Sequence, residues 1–213
     1  MTEAPGGRSS PSEVFELDES AAGEAVDLLV LAFERDPAYR YFCSAERSGY
    51  RRRLRVVFRS GRALQRSSGQ PVLGILAGHR LAGLAMIQEP GTSVSIWAQL
   101  SWLLKIALLT GPRVPWRIVR DMRIAERARP VESHFYLPLL AVHPDFQGSG
   151  CGRVLLEALQ SLSERHSTSR GVCLETENPD NVPFYEHLGY RVIARHKDAA
   201  LEITTLFRAL PSG

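Results

Sequence analysis

Residues 134–152 read His134-Phe-Tyr-Leu-Pro-Leu-Leu-Ala-Val-His-Pro-Asp-Phe-Gln-Gly-Ser-Gly-Cys-Gly152. An apolar run ends at His143-Pro144, a short polar turn follows, and a glycine-rich loop opens directly into the periodic segment Val154-Leu155-Leu156-Glu157-Ala158-Leu159. The order predicted is strand, turn, anion cradle, helix. Glycines at 148, 150 and 152 let several amide N–H groups approach one point without Cβ clashes. The first helical turn adds unpaired N–H donors and the positive end of its dipole, so a phosphate or pyrophosphate is the natural guest.

Other readings of the loop are weaker. A nucleotide P-loop needs Gly-Lys-Ser/Thr at its end, whereas Gly152 is followed by Arg153 and Val154. A dinucleotide fingerprint places its third glycine one residue later and usually opens the domain. A plain connector or a helix start without a ligand stays open on the loop alone.

The pattern Gln147-x-x-Gly150-x-Gly152 after an apolar strand resembles the GCN5-related N-acetyltransferases. A second block, Leu174-Glu-Thr-Glu-Asn-Pro-Asp-Asn-Val-Pro-Phe-Tyr-Glu-His-Leu-Gly-Tyr190, is similar to the next strand, loop and short helix of that family. Within the family the two blocks look nearest to the branch containing puromycin N-acetyltransferase. The resemblance is strong over the C-terminal third and extends to the rest only by layout. It implies an α/β fold: a mixed, mostly antiparallel sheet flanked by helices, with central strands splayed at a cofactor cleft. It also implies acetyl-CoA as cosubstrate, with the pyrophosphate on Gln147, Gly148, Ser149, Gly150, Cys151, Gly152 and Arg153. The pantetheine arm would lie along Leu140, Ala141 and Val142, and Asn181 would hold the cofactor or cap its helix.

At 213 residues and 44% hydrophobic content the chain suits one substantial core. We expect a tail over residues 1–12, which lack the apolar core of a signal peptide, and one domain over 13–213. A net charge of +3 does not by itself argue for nucleic acid, and none is expected as a partner. Cys43, Cys151 and Cys173 are odd in number and lack metal spacing, which points to free thiols, a reducing cytoplasmic setting and no metal. The oligomeric state is open, a homodimer included.

In order along the chain, Val14 to Leu17 reads as a strand, and Asp18 or Ser20 as the cap of a helix stopped by Asp36-Pro37. Tyr39, Tyr41 and Phe42 are expected in the following loop, and a second helix over Ser44 to Ser67. That helix is arginine-rich, either a solvated face or a mark of an anionic partner. Val72–Ala77 and Leu81–Ile87 form a hairpin about Gly78-His79-Arg80. The segment 91–130 is the least family-like. Its apolar helix carries Lys105 and is too short to span a membrane, so no membrane partner is expected. An amphipathic membrane-surface element stays open, but we read the insertion as a wall or lid near the acceptor site. Pro138 cannot donate to a ladder, which predicts a bulge in the central strand.

Acetyl transfer to an alkylamine requires the amine neutral, at a cost of about 4 kcal/mol at pH 7 for a pKa near 10. Some relatives place a glutamate near the position of Tyr136, which this chain lacks. Glu175 is then a candidate base, with Glu132 and His134 behind it. Tyr185 matches the family's general-acid position, and transfer of its proton to a thiolate is uphill by only about 2 kcal/mol. Cys151 is read as a loop position, since direct transfer needs no enzyme thiol. The expected activity is N-acetylation of a small-molecule amine, an aminonucleoside-like antibiotic among the candidates. A CoA-binding regulatory or scaffold protein without turnover, or acetylation of a protein amine, are the alternatives.

Overall fold

A computed structural model describes residues 13–197 and 201–211; the tail expected over 1–12 lies outside the described residues. Seven strands form one sheet: β1 (Val14–Glu16), β2 (Val72–Ala77), β3 (Arg80–Gln88), β4 (Phe135–Val142), β5 (Gly171–Thr176), β6 (Arg191–Lys197) and β7 (Glu202–Ala209). Their spatial order is β1-β2-β3-β4-β5-β7-β6. Every neighbouring pair is antiparallel except β4 and β5, which run parallel.

That one parallel pairing decides the shape. It holds only from Phe135 opposite Val172 to Leu137 opposite Leu174, and it stops at Pro138. On the other side of β4 the register with β3 shifts by one residue between the Met86–Leu139 and Gln88–Tyr136 pairs. The extra residue on β4 falls at Leu137-Pro138, as expected for a proline that cannot donate to a ladder. Residues 139–142 therefore stay paired to β3 while their β5-facing edge is free of any strand among the described residues.

Helices cover both faces. On one lie α1 (Ala22–Phe33), α2 (Pro37–Phe42), α3 (Tyr50–Ser67), α4 (Ile96–Thr110) and α5 (Arg113–Ala128), around Leu29, Leu54, Phe58, Leu84 and Ile106. On the other lie α6 (Cys151–Arg165) and α7 (Val182–His187), around Ile75, Phe135, Leu155, Leu159 and Leu174. Fully burying each such side chain stabilises by about 1.5–3 kcal/mol. Gly83 lets α6 pack this close: a Cβ there would sit 3.0 Å from the Ala141 carbonyl oxygen and 3.2 Å from Leu155.

Two expectations are corrected. Tyr39, Tyr41 and Phe42 lie in α2, because Asp36 caps it through Oδ1 with Pro37 in its first turn, a pairing that starts a helix as readily as it stops one. The arginine-rich helix begins at Tyr50 instead of Ser44. Ser44 at φ 52° and Gly49 at φ 76° break the run. Arg53 stitches the resulting turn by donating to the carbonyls of Cys43, Ser44, Arg47 and Ser48. Three arginines of that helix pair with neighbouring acids: Arg51 with Glu34 at 2.9 Å, Arg66 with Glu19 at 3.1 Å, and Arg55 with Asp27.

The 91–130 segment forms α4 and α5 as expected. In α4 only Ile106 is buried, while Trp97 and Leu108 are 77% and 76% exposed. No helix among the described residues is long and apolar enough to cross a membrane. α5 is locked to α2 by Arg117, which donates to the Tyr41 carbonyl and to Ser44 Oγ and lies 4.3 Å from the Tyr41 ring centroid.

Candidate active site

Because β4 and β5 are parallel, the loops that leave their carboxyl ends meet at the same edge of the sheet, where the strands part. The first is the glycine loop. After a tight turn over Pro144–Phe146, Ser149 N–H bonds the Phe146 carbonyl at 3.2 Å, and Gly148 and Gly150 take φ of 76° and 91°. The first bond of α6 runs from Val154 N–H to the Gly150 carbonyl at 3.1 Å, so the amides of Cys151, Gly152 and Arg153 precede it and remain at the helix mouth. Gln147 folds back on the Val142 carbonyl at 3.5 Å. Arg80, from the β2–β3 turn, braces the loop through Asp145 at 3.2 Å and the Phe146 ring. The Cys151 thiol is buried, 3.2 Å from Ser149 Oγ.

These features suit acetyl-CoA. The amides and helix mouth offer donors to a pyrophosphate, and the free edge over Leu140, Ala141 and Val142 offers main-chain groups to an extended amide-bearing arm. Gly152 lies beside Phe184: a Cβ there would meet its ring at 3.4 Å, an ordinary van der Waals distance. That contact also joins the two sequence blocks in space.

The second loop follows β5. Asn178 caps the turn at 179–181 by accepting from Asp180 N–H at 3.1 Å. Asn181 makes no side-chain cap to α7; it donates to Thr176 Oγ1 at 3.4 Å instead. The helix cap considered for Asn181 is thus not made by its side chain, and Asn178 caps only the turn that precedes α7. Tyr185 is buried, 5.3 Å from the Phe184 ring and 6.0 Å from Tyr190, and it lines a cavity of about 310 Å³ between the sheet and helices α1 to α5. Burial, then Glu177 and Asp36, raise its pKa above that of an ordinary phenol.

The cavity is acidic. Glu175, Glu177, Asp36 and Asp121 all line it. Alternation along β5 turns Leu174 towards the α6 core and Glu175 to the opposite face, and Glu177 follows in the loop just after the strand. Glu175 is occupied. Arg129 Nε meets its Oε1 at 2.8 Å and Nη2 its Oε2 at 3.5 Å, the Tyr136 hydroxyl bonds it as well, and the guanidinium lies 3.5 Å over the Tyr136 ring. Among the described residues no cation pairs with Glu177. Burial, then Asp121, Asp36 and Glu175, push its pKa up to about 8. Asp121 rises to about 7, through burial and then Glu175, with Arg120 opposing. Burial also raises Asp36, against the amides of Tyr39 and Ala38.

Among the expected site residues, Tyr185, Glu175, Asn181 and Leu140 line this cavity, and the glycine loop stands at the same end of the sheet. Glu132 and His134 do not line it: Glu132 is exposed and His134 Nδ1 lies 2.6 Å from the Glu132 carbonyl. Glu177, Asp36 and Asp121 were missed. Glu177 follows Glu175 at the two-residue period of a strand. Asp121 interrupts the apolar stripe Val114, Ile118, Ala125 at helical spacing, an acid pointing where the core lies. Among the described residues no group of three or more His, Cys, Asp or Glu side chains is placed to hold a metal ion.

Comparison with known proteins agrees with this geometry. Residues 118–192 match the family model of the acetyltransferase (GNAT) domain, from α5 through the glycine loop to β6. The fold is similar to that of a protein from Corynebacterium glutamicum described as histone acetyltransferase HPA2 and related acetyltransferase, with TM-score 0.69 and 18% identity over 96% of this chain and 99% of that one. A variant of agmatine N-acetyltransferase gives 0.62 and 15%, covering 93% and 99%. The ribosomal-protein alanine N-acetyltransferase of Escherichia coli gives 0.58 and 14%, covering 95% and 96%. At these identities the likeness to the solved structures is one of fold. The chain thus carries a GNAT acetyltransferase domain match over residues 118–192, set in a fold that these acetyltransferases share.

Proposed function

We propose that the chain transfers the acetyl group of acetyl-CoA directly to an amine of a small molecule. The observation that carries this reading is the meeting of two half-sites at the parting of β4 and β5: a glycine loop with a free strand edge on one side, and an acidic cavity bearing Tyr185 on the other. A cavity of about 310 Å³ lies within the range of small-molecule sites. An aminonucleoside-like acceptor is supported by the branch resemblance of the two sequence blocks alone.

Leu140, Ala141, Val142 and the loop from Gln147 to Arg153 hold the cosubstrate through their backbone, with Asn181 bracing the second loop. Glu177 receives the proton of the acceptor ammonium. Against an ammonium near 10, an ordinary glutamate near 4.3 makes that transfer uphill by about 8 kcal/mol, and one near 8 by about 3 kcal/mol. The ammonium itself lowers the value in the complex, so this gain is an upper bound. Glu175, neutralised by Arg129, holds the wall and yields the role of base to Glu177. As the new N–C bond forms and the C–S bond breaks, Tyr185 donates to the departing sulfur and takes back the second proton shed by the nitrogen, so amide, free thiol and protonated Glu177 balance. Burial raises the Tyr185 pKa, which makes full transfer costlier than for an ordinary phenol and favours a hydrogen bond to the sulfur.

The test is release of free thiol from acetyl-CoA across a panel of small amines and peptides. Amine-dependent release with small amines supports the reading. Release with peptides alone favours a protein amine, and tight acetyl-CoA binding by calorimetry with no release on any amine favours a regulatory CoA-binding protein.

A further inference from the structure

We propose that α4 and the arginine-lined cavity at its C-terminal end form one docking surface for an anionic phospholipid bilayer, with α4 lying along the interface and not crossing it. The proposal goes beyond acetyl transfer and does not rest on it. The outer side of α4 is apolar, although its inner side already serves the core, where Ile106 is fully buried and Trp102 packs beside it. At about 100° per residue the exposed side chains Ile96, Trp97, Leu100, Leu104 and Leu108 share an arc of about 120°. A surface helix ordinarily turns its polar side outward. Scattered exposed apolar residues mean little, but a continuous stripe along a helix marks a contact surface. Trp116, exposed near the start of α5, stands just beyond the end of the stripe. Its apolar ring and polar N–H suit the headgroup level of a membrane.

The cavity, of about 280 Å³, lies between the turn before α3 and the junction of α4 with α5. Arg47, Arg53 and Arg113 line it, with Ser44, Ser48 and Thr110. Arg53 spends its N–H groups on the carbonyls of Cys43, Ser44, Arg47 and Ser48, which are neutral and leave its charge uncompensated. Among the described residues neither Arg47 nor Arg113 pairs with a carboxylate. Ser44 Oγ accepts from Arg117 at 3.0 Å and keeps its own proton to donate. Guanidinium and hydroxyl donors together suit a phosphodiester. Thr110 directly follows the last leucines of α4, so anion site and apolar stripe adjoin as headgroup and acyl chain do in a phospholipid.

Charge and area choose the occupant. Residues 90–120 carry Lys105, Arg113, Arg117 and Arg120 and no Asp or Glu. A second copy docked stripe to stripe would set these like charges against one another. The stripe is also small for that purpose. The 15 residues of α4 make a helix about 22 Å long, and a strip about 10 Å wide covers on the order of 200 Å², against about 800 Å² per partner in a stable interface. An anionic bilayer attracts the cations through its surface potential and takes a short apolar strip at its headgroup boundary without shape complementarity.

The experiment is flotation of the full chain with vesicles of phosphatidylcholine alone and with vesicles of three parts phosphatidylcholine to one part phosphatidylglycerol, tryptophan emission being read on the same samples. The expected result is partitioning about tenfold or more stronger onto the anionic vesicles, with a blue shift of the emission. Trp97→Ser with Leu108→Ser, at exposed positions, removes the partitioning, and Arg47→Gln with Arg113→Gln brings the anionic preference towards one. Arg165→Gln with Arg170→Gln takes the same charge from the end of α6 and the loop after it, and leaves both unchanged. An equal loss in that last variant reduces the effect to net positive charge and overturns the proposal. So does a wild-type protein that partitions onto neither vesicle. Calorimetric binding of glycerol phosphate without vesicle partitioning makes the cavity a site for a soluble phosphate, again against the proposal. Dimerisation that Trp97→Ser with Leu108→Ser abolishes, without vesicle partitioning, gives the stripe to a second copy and overturns it likewise. The wild-type comparison needs no variant, so a folding defect in any of them does not remove the test.

Discussion

The glycine loop with β4 and the acidic wall made by α2, α5 and the end of β5 face one another across one cleft, and they are built on different principles. On the loop side the groups offered to a ligand are main-chain amides and carbonyls, presented by glycines at positive φ, a helix mouth and a strand edge that Pro138 leaves unpaired. Side chains there mostly brace the backbone, as Gln147 does on Val142 and Arg80 on Asp145. On the acidic side the groups are carboxylates brought together from elements as distant in sequence as Asp36 and Glu177. A backbone site can keep one ligand while side chains vary; a side-chain site can change its ligand with one substitution. Cofactor and acceptor specificity are thus separable in this fold.

That separation gives predictions of decreasing size. Glu177→Gln removes the proposed base while keeping its shape, and turnover should fall by about 10²–10⁴ with acetyl-CoA affinity nearly unchanged, as read by steady-state rates and calorimetry. Tyr185→Phe keeps the ring against Phe184 and Tyr190, so folding should hold while turnover drops about a hundredfold. Full activity in that variant, where chemistry limits the rate, would reduce the tyrosine to packing. Gly150→Val acts on the other half. The φ of 91° is costly for a β-branched residue, although no atom lies within 4 Å of its Cβ, so the loop must rearrange. The KM for acetyl-CoA should rise about tenfold or more, through the same backbone strain, with the amine KM little changed.

The smallest effect concerns stability. Glu177 has a folded pKa of about 8, above its ordinary 4.5, so the folded state binds this proton more tightly than the unfolded chain. The associated stability is complete below about 4.5 and is lost as pH rises through about 8. Glu177→Gln should therefore melt higher than wild type at pH 9 and nearly equally at pH 4. If water at the cavity mouth leaves about 1 kcal/mol of the effect, the difference at pH 9 is roughly 2–4 °C in a thermal scan.

The asymmetry also explains what could be read from the chain. The loop was legible because all its parts are contiguous: the strand, Gly148, Gly150 and the start of α6 occupy one run, and Pro138 announced the bulge. The hairpin at Gly78, with φ of 65°, was legible for the same local reason. Tyr185 was placed by its motif. The acidic wall was not, because no local pattern says that the cap of α2 and the middle of α5 meet the end of β5. Asp36-Pro37 reads locally as a helix stop, and Asp121 sits in a segment whose other charges are mostly arginines. Glu175 stood out in the motif, yet Arg129, forty-six residues earlier in the chain, takes it up. Its neighbour two positions on is left as the proton acceptor.

The most direct test of acetyl transfer with Glu177 as base is the pH dependence of kcat/KM for an amine, with acetyl-CoA saturating, in wild type and in Glu177→Gln. The ionisation of Asp121 near 7 should appear in both proteins as a binding effect. The account predicts a further rise with midpoint near 8 in wild type, reporting the free carboxyl of Glu177, and its absence in the glutamine variant. The same limb, at the same height, in both proteins would contradict it.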